Sequence, residues 1–91
     1  MKPTMHLNGS GLGAKSGVAF GLALRKNTVL EALELNDNPA IGDKAGLEMD
    51  AALGVNTTLL ELGLANCGLL AKAKARLSAR RVARGGCRLV F

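Results

Sequence analysis

Tryptophan and tyrosine are missing altogether from this 91-residue chain, and phenylalanine occurs only as Phe20 and Phe91. The core must therefore be built from Leu, Ala, Val and Met, and no ring interleaves with the charged residues to stack on bases. Histidine is reduced to His6 and cysteine to Cys67 and Cys87, none at a ligand spacing from another. No metal centre, cofactor or Cys-His nucleophile pair is expected from so sparse a set. Apolar runs fall well short of the roughly 20 residues of a membrane-spanning helix, and the first residues lack an uninterrupted apolar stretch with a cleavage site. The chain thus reads as intracellular and cytoplasmic, where disulfides are rare, so both cysteines are expected to be reduced. Acidic residues are absent from 71–91, which hold seven Lys/Arg, whereas 1–70 hold five Lys/Arg and seven Asp/Glu. Charge is divided along the chain, −2 before residue 71 and +7 after it.

What the chain does have is an echo. Asn27-Thr28-Val29-Leu30-Glu31-Ala32-Leu33-Glu34-Leu35 returns 29 residues later as Asn56-Thr57-Thr58-Leu59-Leu60-Glu61-Leu62-Gly63-Leu64. Three residues past each last leucine stands Asn38 or Cys67, so that L-x-x-L-x-L-x-x-N/C is written twice. A degenerate first copy precedes them, with Leu12, Gly17, Phe20 and Leu24 standing 29 residues before Ile41, Gly46, Met49 and Leu53. Upstream of Leu12 the frame slips by one residue, placing Met5, Leu7 and Ser10 opposite Leu33, Leu35 and Asn38. The third copy keeps Leu69, Ala73 and Leu77 in a helical stripe but has Arg81 where Leu24 and Leu53 stood. Side chains alternate along a strand and recur every three to four residues on a helix. The pattern predicts strands near 4–7, 32–35 and 61–64, helices near 15–25, 43–53 and 71–83, and a fourth strand near 87–90 after the Gly85-Gly86 break.

The L-x-x-L-x-L-x-x-N/C signature with a period of about 28–29 residues resembles the leucine-rich repeat family, in its ribonuclease-inhibitor-like type. Asn56 to Leu62 also resembles the repeats of tropomodulin-like actin-filament cappers and of nucleotide-sensing immune receptors. The resemblance implies an α/β fold: a short right-handed solenoid of about three repeats, with a curved parallel sheet on the concave side and helices on the convex side. Residues 1–91 are then a single domain or a fragment of one, with repeats at 1–26, 27–55 and 56–84 and an edge strand at 85–91. Asn38 would satisfy backbone groups where the chain leaves the strand, with Cys67 as its substitute. No polar cap is evident at the N-terminal end, so self-association through uncapped ends is open.

Three candidate sites emerge. The resemblance implies a non-catalytic binding module, and solenoids of this kind hold partners on extended concave surfaces. Here that surface would carry Thr4, His6, Asn8, Ala32, Glu34, Asn36, Asp37, Glu61, Gly63, Ala65 and Asn66. His6, Glu34, Asn36, Asp37, Glu61 and Asn66 are its contact candidates. It lacks Trp, Tyr and Arg and is acidic, which favours a protein partner with a basic surface. Lys72, Arg76, Arg80 and Arg84 form a second candidate, a positive stripe suited to nucleic acid or an anionic membrane. The third is Gly9-Ser10-Gly11-Leu12-Gly13-Ala14-Lys15-Ser16, one residue short of the phosphate-binding pattern G-x-x-x-x-G-K-[ST]. The same stretch aligns with Ile41-Gly42-Asp43-Lys44 of the next repeat, which explains it without a nucleotide. Glu34 and Glu61 are diagonal in register, not a pair poised for acid/base catalysis, and no enzymatic activity is expected.

Overall fold

The computed structural model describes residues 3–91. Strand β1 (Thr4–His6), helix α1 (Ala14–Leu24), strand β2 (Ala32–Glu34), helix α2 (Gly42–Leu53), strand β3 (Glu61–Gly63), helix α3 (Ala71–Arg84) and strand β4 (Arg88–Val90) follow one another in chain order. Each expected element is present within a residue or two. The four strands form one parallel sheet in the order β1-β2-β3-β4. Its register aligns Met5 with Leu33, Leu33 with Leu62 and Leu62 with Leu89. This is the short leucine-rich-repeat-like α/β fold of about three repeats that the leucine spacing implied.

Alternation explains which side of the sheet is filled. Leu33 and Leu62, at the strand centres, are completely buried, as are Leu35 and Leu64 just beyond the strands. They meet Ile41, just before α2, and Ala45, Met49, Leu53 and Leu77 from the helices, all but fully buried. Each such leucine, isoleucine or methionine removed from water stabilises the fold by about 1.5–3 kcal/mol. Burial is greatest in the middle: α2 buries Ala45, Gly46, Met49, Asp50, Ala52 and Leu53, whereas α3 buries only Ala73 and Leu77. Helices α1 and α2 approach closely because a Cβ on Gly21 would lie 2.7 Å from that of Glu48, which only glycine permits.

Between the leucines run ladders of polar groups that tie each repeat to the next. Asn38 is fully buried. Its Oδ1 accepts from the N–H groups of Ser10 and Leu12 at 3.0 Å, and its Nδ2 donates to the carbonyls of Leu7 (2.9 Å) and Leu35 (2.8 Å). The thiol of Cys67 takes the same slot one repeat on, donating to the Leu35 carbonyl. At the other end of the strands, Asn56 Nδ2 donates to the carbonyls of Leu24 and Asn27 while its Oδ1 accepts from the N–H of Leu59. Among the described residues no buried side-chain polar atom lacks a partner, as buried polar groups require. Both cysteines are free and buried. Burial pushes both thiols above the ordinary 9.0, against an Asn38 backbone hydrogen bond at Cys67 and the Arg84 and Arg81 charges at Cys87.

The two ends of the stack differ. At the first repeat Met5 is 42% exposed, and with Phe20, Leu24, Leu30 and Leu33 it borders an apolar hollow of about 110 Å³. At the other end β4 covers the edge of β3, and Leu89 packs against the core cluster.

Candidate functional site

The outer face of the sheet carries every second strand residue. Register places Thr4, Ala32, Glu61 and Arg88 in one row and His6, Glu34, Gly63 and Val90 in the next. The fourth strand alters the expected chemistry of this face. Arg88, which belonged to the basic tail in the sequence, stands beside Glu61 with its Nη1 3.5 Å from Oε1. The face is therefore not free of arginine, and its charge is mixed. Glu34 is braced from the other side, by His6 Nδ1 at 3.0 Å and Asn8 Nδ2 at 3.1 Å. Both carboxylate side chains are 24% exposed, whereas His6 and Arg88 are 63% and 74% exposed. Glu34, Asn36, Glu61, Gly63, Arg88 and Val90 enclose a hollow of about 160 Å³.

Asn36 is positioned by its own ladder. Its N–H donates to Asn8 Oδ1 and its Oδ1 accepts from the N–H of Ala65, both at 2.8 Å. To get there the amide lies over Gly63, where any Cβ would come within 2.9 Å of it. Gly63 is thus the floor of the hollow because Asn36 needs the space. Of the remaining contact candidates, Asn66 Nδ2 reaches Asp37 Oδ1 at 3.4 Å, off to one side in the turns that follow the strands. Both turn residues hold a positive φ, 61° at Asp37 and 52° at Asn66, a conformation that Asn and Asp tolerate better than most. Ala32 is buried and contributes no accessible surface. The structure so brings His6, Glu34, Asn36 and Glu61 together and sets Asp37 and Asn66 apart. Arg88 was missed because it was counted with its charged neighbours, although the alternation in Cys87-Arg88-Leu89-Val90 already implied that it shares a strand face with Val90.

The basic stripe of α3 is less free than its spacing implied. Arg80 Nε lies 3.2 Å from Asp50 Oδ1. Arg84 donates from Nε to the Asn56 carbonyl and from Nη2 to the Leu59 carbonyl, each at 2.7 Å. Asn56 stands 29 residues after Asn27 and Arg84 stands 28 after Asn56, so Arg84 takes the third place in that ladder. The offset of 28 that puts Arg81 opposite Leu53 would have revealed it. Lys72 and Arg76 are exposed. In the Gly9–Ser16 loop, the N–H groups of Ser10 and Leu12, which a phosphate would need, are both given to Asn38. Among the described residues no group of three or more His, Cys, Asp or Glu is placed to hold a metal ion, and no helix is long and apolar enough to cross a membrane.

No family model matches the chain, and no curated protein matches it. Among solved structures it is similar to leiomodin-1 actin-binding site 2, with a TM-score of 0.86 and 20% identity over 96% of this chain. The match covers 50% of the leiomodin chain, so this chain spans half the length of that structure. At that identity the likeness shows a shared fold.

Proposed function

We propose that this chain is a non-catalytic module that binds a protein partner on its outer sheet face. The observation that carries the reading is the hollow over Gly63, walled by Glu34 and Glu61 and bordered by an exposed Arg88. A lysine or arginine of a partner entering there meets two carboxylates already held by His6 and Arg88. It can displace the loose 3.5 Å contact of Arg88 with Glu61 at little cost, since exposed ion pairs contribute about 0–1 kcal/mol. The surface is small and has no aromatic anchor, features that favour a weak contact or one shared with further repeats.

Actin is the first partner to test, because a solved structure that shares this fold is named for actin binding. Co-sedimentation of the intact chain with filaments, and fluorescence titration with monomeric actin, supply the assay. Glu34→Lys combined with Glu61→Lys should slow association and abolish most of the binding, because steering and partner choice rest on such charges. Unchanged actin affinity in a folded double variant would remove this face from the interaction.

A further inference from the structure

Charge in this molecule is sorted between faces more sharply than between chain ends. Every carboxylate on the helices is engaged internally: Asp43 Oδ1 accepts from the N–H of Leu70, Glu48 pairs with Arg25, and Asp50 pairs with Arg80. Lys15, Lys26, Lys44, Lys72 and Arg76 are exposed, and among the described residues their side chains have no ion-pair or hydrogen-bond partner. Helical geometry shows where they point. With Gly17, Gly21 and Leu24 of α1 turned inward, Lys15 and Leu22 lie on the opposite side, and Lys26 is exposed in the turn that follows the helix. Lys44 is likewise opposite the buried face of α2, and Val82, 75% exposed, is opposite Ala73 and Leu77 on α3.

Three of these lysines occupy one slot of the repeat. Lys15 is the second residue of α1, Lys44 the third of α2 and Lys72 the second of α3, at separations of 29 and 28 residues. Lys15 and Lys44 border a common groove. A cation in the first turn opposes the helix dipole, and neither α1 nor α3 has an acidic residue there to offset it. Helix stability therefore gives no reason for the row.

We infer that this outward helical face docks on an anionic lipid surface. The cations are distributed in two dimensions, a row at the helix starts and further charges at Lys26 and Arg76, over a molecule whose two larger extents are 28 and 27 Å. A plane of headgroups can meet the row and Lys26 at once, with Arg76 at its flank beside Arg80. A linear polymer would meet one row. Aliphatic side chains stand among the charges, with Leu22 50% exposed as well as Val82, and no aromatic is present on α2 or α3 to stack on bases. Cations flanking apolar side chains with no free acid are what an interfacial surface requires.

Co-sedimentation of the full chain with phosphatidylserine-rich vesicles and with phosphatidylcholine vesicles tests the assignment. Binding to the former alone is expected, weakening as salt is raised. Each cation near an anionic surface strengthens partition by about fivefold, so the Lys15→Ala, Lys44→Ala, Lys72→Ala triple variant should lose about a hundredfold. Its melting temperature should not fall, which separates lost docking from lost folding. Arg88→Ala, on the opposite face, should leave vesicle binding unchanged, whereas Lys44→Ala alone should weaken it by about fivefold. Absence of binding to the anionic vesicles overturns the inference, as does an Arg88→Ala loss equal to that of Lys44→Ala. Tight binding of duplex DNA or polyglutamate, with vesicles left unbound, would assign the face to an acidic polymer instead.

Discussion

Arg84 gives the sharpest division between a side chain that waits for a ligand and one that holds the fold. Sequence spacing groups it with Lys72 and Arg76, and the structure places its guanidinium against the carbonyls of Asn56, Leu59 and Gly85. Truncation to alanine removes two charge-assisted bonds of 2.7 Å and leaves the half-buried carbonyls of Asn56 and Leu59 to water. Bonds to charged groups contribute about 1.5–3 kcal/mol each when buried. Arg84 is half-buried, so the expected loss for the pair is about 2–4 kcal/mol. A chain of this size has about 5–13 kcal/mol in total, at roughly 0.05–0.15 per residue, and the loss should lower the melting temperature by on the order of 10–25 °C. Arg76→Ala, with no partner to lose, should stay within about 0.5 kcal/mol of the parent. Urea denaturation of both variants, followed by circular dichroism, measures the difference. Arg84→Lys should recover only part of it, since a single ammonium cannot reproduce the planar fork between two carbonyls. Equal midpoints for Arg84→Ala and Arg76→Ala would refute the ladder role.

Other outcomes follow from the packing. Leu62→Ala, at a fully buried strand centre, should cost about 2–5 kcal/mol, and an unchanged denaturation midpoint would contradict the repeat register. Gly21→Ala should destabilise by about 1–3 kcal/mol through the clash with Glu48, although helix propensity alone predicts a gain of about 1 kcal/mol; thermal melts decide the sign. Burial raises both cysteine pKa values above 9.0, so the folded state holds its thiol protons more tightly than the unfolded state. Stability is then intact below about pH 9 and falls as pH rises beyond it, and alkylation of either thiol at neutral pH should track global unfolding. Millimolar ATP with magnesium should leave the melting temperature unchanged, because the Ser10 and Leu12 N–H groups are already bonded to Asn38; a saturable rise that Lys15→Ala abolishes would reverse that reading.

The amino-acid sequence alone determined the element order, the 29-residue period and the core leucines, because strand alternation and helical recurrence are local and repeat along the chain. It also located Asn38 and Cys67, whose slot lies a fixed three residues past Leu35 and Leu64. Tertiary structure decided the rest, since the interactions concerned join residues about one repeat apart. Arg80 finds Asp50 30 residues away, Arg84 finds Asn56 28 away, and Arg88 finds Glu61 27 away. Whether two such residues meet depends on the spacing between repeats to a single residue, and the register sets β3 29 residues after β2 but β4 only 27 after β3. A division of charge that runs along the sequence as −2 and +7 becomes, once the chain is wound, a division between a braced, mixed-sign sheet face and an unpaired cationic helical face. Winding brings each repeat's acids against its neighbour's bases, so which charges remain free is a property of the stack and not of any segment within it.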